Sequence, residues 1–217
     1  MTTRETGGRW RSSLLGAAIV ASVIALGSCG DDGATTSTTP GTTAATTTVA
    51  PSDPNLADAV AAVGGRYGFT ASVTVGSVET THVEGSVYDG TGQYLVTSGD
   101  RVVEYIIGSS GQWARQGNEL WAVLAGPAPV VDPLTPLAQP SALTVVSSDG
   151  DDAVLEATYP PSVLGFSGDE DVVVTLTVVD GALAEIRYTV PAGAGEAVVV
   201  TTIDTDSEIT PITVPTP

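Results

Sequence analysis

The 217-residue chain contains no lysine, one cysteine and one histidine, and these shortages exclude several classes of protein. All seven basic residues are arginines, against 25 acidic residues, and the formal net charge is -18. Such a balance disfavours nucleic-acid binding, because proteins that bind phosphate backbones carry clustered lysines and arginines. It equally disfavours electrostatic docking on anionic lipid headgroups. A single cysteine excludes an intramolecular disulfide, and one Cys with one His cannot build a Cys/His zinc site.

Groups that carry catalysis are equally scarce. His82 is the only imidazole, and its strand-like surroundings indicate a solvent-facing residue. A serine or cysteine nucleophile would therefore lack its usual base. The chain has no nucleophile elbow, P-loop or dinucleotide-binding fingerprint. Two acidic clusters, at residues 149–152 and 169–171, are interpreted as solvated turns rather than calcium sites. We predict a non-enzymatic protein that needs no cofactor and no metal.

The N-terminal 29 residues predict the compartment. Arginines at positions 4, 9 and 11 precede an apolar run over residues 14–26. This run is shorter than the ~20 residues that span a bilayer, but it suits a signal peptide. The sequence Leu26-Gly27-Ser28-Cys29 follows directly and resembles the bacterial lipobox, which implies that residues 1–28 are removed and that Cys29 is acylated. The alternative is a plain secretory signal with an incidental cysteine.

The lipobox resemblance implies a protein anchored to membrane lipid on the extracytoplasmic side of the cell membrane. One acyl chain binds a bilayer only marginally, whereas two or three hold a protein stably. Residues 30–54 are rich in Thr, Ala and Pro and contain no aromatic residue. Such a segment cannot bury enough apolar surface to offset its ordering entropy. We expect residues 29–54 to form a lipidated, disordered tether with a span of roughly 25–30 Å, followed by one domain over residues 55–217.

Hydrophobic periodicity predicts a mainly β domain that begins with a helix. Asp53-Pro54 is a helix-start signal, Leu56, Val60 and Val63 have helical spacing, and Gly64-Gly65 ends the pattern. From Phe69 onward the period changes to two, and Gly-containing turn signals separate the runs. The predicted strands are residues 69–75, 83–87, 93–97, 102–107, 112–115, 120–124, 143–148, 153–159, 172–179, 183–190 and 197–204. About eleven strands in an antiparallel meander predict one strongly curved sheet.

Two segments rich in proline interrupt the strands. Residues 126–140 contain five prolines, and Asp132-Pro133 is typical of the cap and first residue of a short helix. The second break spans residues 160–166. Both contain apolar residues that need a hydrophobic surface, so we expect one or two short helices, together with the N-terminal helix, on the concave face.

The run Arg101–Gly108, then Gln112–Arg115 and Glu119–Trp121, is similar to the centre of LppX/LprG-type actinobacterial envelope lipoproteins. The Asp132-Pro133-Leu134 segment and the tail Ile209–Pro215 also resemble that family. The resemblance implies a LolA-like half-barrel, that is, an eleven-stranded sheet bent around helices, which encloses an apolar cavity for acyl chains. A function in lipid carriage or presentation would follow, with an apolar lipid as ligand.

Alternation and polarity suggest which side chains line such a cavity. The candidates are Val73, Val75, Val87, Ile106, Trp113, Trp121, Leu124, Leu134, Val174, Leu176, Ile186 and Tyr188. Only 5% of residues are aromatic, which leaves room for a ligand, but a tightly docked N-terminal helix would close the cavity. For the two tryptophans, cross-strand packing around the Gly117-Asn118 turn is the alternative. For the whole domain, the alternative is a non-enzymatic interaction or structural module that has a filled core and contacts an envelope protein.

Overall fold

Eleven strands account for most of the chain that the computed structural model describes, which is residues 55–126, 132–166, 168–193 and 195–215. In chain order they are β1 (Arg66–Val75), β2 (Val78–Tyr88), β3 (Thr91–Ser98), β4 (Arg101–Gly108), β5 (Gly111–Gln116), β6 (Ala122–Val123), β7 (Ala142–Asp149), β8 (Asp152–Tyr159), β9 (Val172–Val179), β10 (Ala182–Ala192) and β11 (Gly195–Asp204). The eleven predicted strands are confirmed. The sixth is shorter than residues 120–124, and Leu120 is 93% exposed.

The strands form one antiparallel sheet in the order β6-β5-β4-β3-β2-β1-β11-β10-β9-β8-β7. Each strand therefore pairs with its neighbour in the chain, except that β1 also pairs with β11 and β6 does not pair with β7. The turns Asp89-Gly90 and Asp180-Gly181 have positive φ at both residues, as tight hairpins with right-handed strand twist require. The result is a mainly β, curved sheet with open edges at β6 and β7.

The N-terminal helix α1 (Leu56–Val63) buries the predicted apolar stripe, since Leu56, Ala59, Val60 and Val63 are all buried. It ends at Gly64, where φ is 74°. The predicted start at Asp53-Pro54 is wrong: the N-cap is Asn55, whose side chain accepts a hydrogen bond from the Ala57 N–H at 3.0 Å. Asn is among the strongest N-cap residues because its side-chain oxygen satisfies a free backbone donor. No helix in the four described ranges is long and apolar enough to cross a membrane.

Two short 3-10 helices, η1 (Thr135–Ala138) and η2 (Pro161–Leu164), occupy the proline-rich breaks. The helix predicted at Asp132-Pro133 begins later than expected, with Leu134 at its N-cap position. Asp132 instead stabilises the entry to η1, because its carboxylate accepts hydrogen bonds from the Leu134 N–H at 3.0 Å and the Thr135 hydroxyl at 2.8 Å. Leu134, Leu137 and Leu164 are buried in the main core, which confirms that both segments pack on the sheet.

The face of the sheet that carries α1, here called the inner face, holds the hydrophobic core. Strand register places Leu155, Leu176 and Ile186 side by side across β8, β9 and β10. Leu155 and Leu176 are 0% exposed, and Ile186 is 6% exposed. Alternation then directs Thr175 and Arg187 to the opposite side, here called the outer face. A single apolar layer between the sheet, α1 and the two 3-10 helices thus holds the domain together.

One position of the inner face has no room for a side chain. The rings of Phe69 and Tyr94 pack at 5.6 Å between centroids over Gly85. A Cβ atom on Gly85 would lie 2.9 Å from Tyr94 Cδ1 and closer still to the Phe69 ring. The glycine therefore lets two aromatic rings cover the backbone of β2, as in the aromatic rescue of strand glycines.

We expect Gly85→Ala to lower the free energy of unfolding by about 1–3 kcal/mol, because overpacking a tight core forces side chains from their preferred rotamers. Gly195→Ala is the control, since a Cβ atom there meets nothing within 4 Å, and its effect should stay within about 0.5 kcal/mol. Urea unfolding of both variants measures the difference. Equal stabilities of the two variants would contradict the packing described.

Candidate functional site

The inner face brings together eight of the twelve residues predicted to line a cavity. Seven are buried in the main core: Val73, Val87, Leu134, Val174, Leu176, Ile186 and Tyr188. Val75 is partly buried against the same cluster. The helix α1 lies over them and contacts β10 and η1. These side chains therefore contact one another and the covering elements, and each of the seven is at most 7% exposed.

The other four candidates do not join this cluster. Ile106 and Trp113 are register partners, whereas Tyr105 and Ile107 of the same strand belong to the inner-face core. Ile106 and Trp113 therefore lie on the outer face, where they are 4% and 6% exposed. The strand β4 is apolar at neighbouring positions, so its sequence did not reveal which residues face inward.

The predicted cross-strand pair of tryptophans does not form. Trp113 lies opposite Val123 in the β5–β6 register. Trp121 instead packs against the Arg115 guanidinium, whose carbon lies 4.6 Å from the ring centroid. Leu124 is half-buried and its N–H donates to the Gln112 carbonyl at 2.9 Å. Trp113 and Trp121 lie at the β5–β6 end of the outer face, whereas Leu124 lies beside Gln112, the register partner of inner-face Ile107.

Four buried tyrosines place hydroxyl groups on the inner face. Burial raises the pKa of Tyr67, Tyr94, Tyr159 and Tyr188 well above the ordinary value, and the charge of Asp132 raises the pKa of Tyr67 and Tyr94 further. The Tyr67 hydroxyl donates to Asp132 Oδ1 at 3.3 Å, and the Tyr159 hydroxyl donates to the Leu137 carbonyl at 2.6 Å. The tyrosines thus stay neutral at physiological pH and act as hydrogen-bond donors that attach η1 to the sheet.

Charged side chains are arranged in surface pairs. Arg66 donates to both carboxylate oxygens of Asp89, at 3.1 and 2.7 Å, and this hydrogen bonding lowers the pKa of Asp89. His82 lies on the outer face with its side chain 40% exposed, beside Glu79 and Glu84. Exposed pairs of this kind contribute little to stability because water screens the charges.

One residue of the acidic cluster at 149–152 takes part in a turn. Asp152 caps the β9–β10 turn, because its Oδ1 accepts a hydrogen bond from the Asp180 N–H at 2.8 Å. Across the described part of the chain, no three His, Cys, Asp or Glu side chains converge in a way that could hold a metal ion.

A cleft of about 390 Å³, which was not predicted from the sequence, opens between β9 and β10. The pairing of these strands runs as far as Tyr188 and Val174, and the next residues of both strands line the cleft. Its polar lining includes Glu170, Asp171 and Arg187. Strand divergence of this kind depends on tertiary packing, and the only local signal is the proline at position 191, which cannot donate to a ladder.

The edge strand β7 is the largest exposed element of the sheet. All eight of its residues are exposed, and among the described residues β8 is the one strand that pairs with it. Leu143 and Val145 are 42% and 36% exposed, although they pair with the buried Ala157 and Leu155. Val146 is 61% exposed. The apolar layer of the inner face therefore continues to an edge that α1 does not cover.

The predicted acylation site Cys29, the predicted signal peptide and the predicted tether lie outside the described residues. Comparison with models of known protein families finds no match for this chain, and comparison with curated proteins also finds none. The similarity to LppX/LprG-type lipoproteins stays a prediction from the sequence.

Proposed function

We propose that the protein is a lipid-anchored, non-enzymatic envelope protein whose β domain is an interaction module with a filled inner face. One observation carries this choice over lipid carriage. Val174 and Leu176, predicted to line a cavity, are 0% exposed and pack with their neighbours under α1. A lipid-binding cavity needs apolar walls that are accessible to the ligand. Side chains already packed against one another favour a module that works through its surface.

The open edge at β7 is the surface best suited to contact an envelope protein. An edge strand presents unpaired N–H and C=O groups, to which a partner can add a strand. Natural edges are commonly protected by lysine, proline or β-bulges. The strand β7 has no lysine or proline and one charged residue, Asp149, but its pairing with β8 shifts register between Val145 and Ser147. Exposed Leu143, Val145 and Val146 would add apolar contacts on both sides of such a pairing.

A photo-reactive residue at Val146 tests this surface in intact cells. We expect irradiation to cross-link position 146 to a defined envelope protein, because the side chain projects from the unpaired edge. Val78 is the matched control, since it is 64% exposed against 61% for Val146 but lies in β2, away from this edge. Equal cross-linking from both positions, or none from position 146, would argue against β7 as the contact surface.

Acyl-chain carriage by a LolA-like half-barrel is the second candidate function. The exposure of Leu143 and Val145 favours it, because the inner face stays apolar where α1 does not cover it. Burial of ~400 Å² of an acyl chain would contribute roughly 10 kcal/mol at 25 cal/mol per Å², before association costs are subtracted. A ligand that penetrates further would have to displace α1 from β10.

Leu176→Trp separates the two functions. With a filled core, the larger ring should lower the free energy of unfolding by about 1–3 kcal/mol, and a fluorescent fatty-acid probe should show no saturable binding to the parent protein. Val173→Trp is the control on the same strand, because Val173 is 52% exposed on the outer face. Saturable probe binding that Leu176→Trp abolishes without loss of stability would favour carriage instead.

The anchor has its own test in Cys29→Ser. The thioether link needs the cysteine sulfur, so this change should abolish acylation and move the protein from the detergent phase to the aqueous phase in detergent partitioning. Intact mass should fall by the mass of the acyl groups. Ser28→Ala is the control, because it keeps a small residue before the cysteine. Detergent partitioning that survives Cys29→Ser would overturn the lipid anchor and leave the β domain untouched.

A further inference from the structure

The outer face of β1 to β5 contains a row of small, polar and apolar residues that is separate from the main core. Strand register aligns Gly68, Ser86, Gln93, Ile106 and Trp113 across these five strands. At the β1–β2 end, glycine and serine have little or no side chain above the backbone of the sheet. At the other end, Ile106 and Trp113 are 4% and 6% exposed although they point away from the main core. Another part of the chain must therefore cover them.

The C-terminal segment, residues 208–215, is directed onto this face by a turn. The Asp204 carboxylate accepts hydrogen bonds from the Asp206 N–H at 2.9 Å, the Ser207 N–H at 3.1 Å and the Ser207 hydroxyl at 2.5 Å. These bonds, led by that from the Ser207 hydroxyl, lower the pKa of Asp204. Beyond the turn, Ile209 covers β1, because a Cβ atom on Gly68 would lie 3.6 Å from Ile209 Cδ1.

Length and burial fit a path of this segment along the whole row. From β1 to β5 there are four strand spacings, or about 19 Å, and the six residue steps from Ile209 to Pro215 reach about 20 Å when extended. Four apolar residues of the segment are half-buried, namely Ile209, Ile212, Val214 and Pro215, whereas Thr210, Pro211 and Thr213 are exposed. Proline favours an extended chain without strand pairing.

Polar groups beside the row are held in place. Glu104 accepts hydrogen bonds from Gln93 Nε2 and Arg115 Nε, both at 2.6 Å, and its side chain is 16% exposed. The Trp113 indole N–H is buried and has no acceptor among the described residues. An unpaired buried donor costs about 1–3 kcal/mol. Residues 208–215 do not supply this acceptor in the described structure, whereas a competing extended peptide offers one carbonyl per residue.

We propose that this row is a peptide-binding groove for an extended, proline-containing segment with apolar residues, and that residues 208–215 of the same chain are its resident, displaceable occupant. The groove lies on the outer face and is separate from the β7 edge. A competing segment of the same chemistry gains access to Ile106 and Trp113 only when the chain's own segment leaves.

The fluorescence of Trp113 shows whether residues 208–215 cover the row. In the full chain carrying Trp10→Phe and Trp121→Phe, it is the only tryptophan. Ile212→Asp with Val214→Asp should shift its emission to longer wavelength and raise its quenching by acrylamide at least twofold, because the groove opens to water. Thr210→Asp with Thr213→Asp adds the same charge at exposed positions of the same segment and should leave both readouts unchanged.

A peptide added in trans provides the second measurement. The chain ended at Asp206 should show an accessible Trp113, and a synthetic peptide of residues 207–217 should restore its protection in a saturable manner. The same peptide with aspartate at positions 212 and 214 should not. A Trp113 that stays protected after truncation, or a peptide that fails to restore protection, overturns the proposal. Loss of the far-ultraviolet β signal on truncation also overturns it, because the segment would then be part of the fold and not displaceable.

Discussion

The burial of one sheet face beneath a two-turn helix is the interaction on which the rest of this domain depends. A helix of eight residues is not stable alone in water, and an eleven-stranded sheet with open edges cannot leave its apolar face uncovered. The stripe Leu56, Ala59, Val60 and Val63 meets that face, and η1 and η2 cover more of it. Each component is stable only because the other is present, so sheet and helix form one cooperative unit.

Strand positions were predictable because their signals are local. Period-two alternation and turns such as Asp89-Gly90 depend on residues close in sequence, and the structure places strands where they indicated. The pairing of β1 with β11 joins distant parts of the chain and leaves no local trace. Where both faces of a strand are apolar, alternation is silent, which is why Ile106 could not be separated from Ile107 before the register was known.

The candidate site was predictable only in part, because the sequence does not reveal how much space remains between the inward side chains and the elements that cover them. The sequence identified inward side chains such as Val174 and Leu176, but whether they enclose space depends on how closely α1 and four buried tyrosines approach them. A difference of one methylene group is enough to change the packing of a core, and amino-acid composition does not reveal differences of that size. The outer face was missed because Asp204 turns the chain there through side-chain hydrogen bonds that no periodicity reports.

The position of α1 has a mechanical consequence. Asn55 starts the helix, and the chain before it runs toward the predicted attachment at Cys29. A pulling force on that chain would act first on α1, before it reached any strand hydrogen bond. Gly64 and Gly65 form a flexible connection between the helix and β1. The force would therefore separate the helix from the sheet by breaking their contacts one after another. Tension along the predicted tether would thus uncover the valines and leucines beneath the helix.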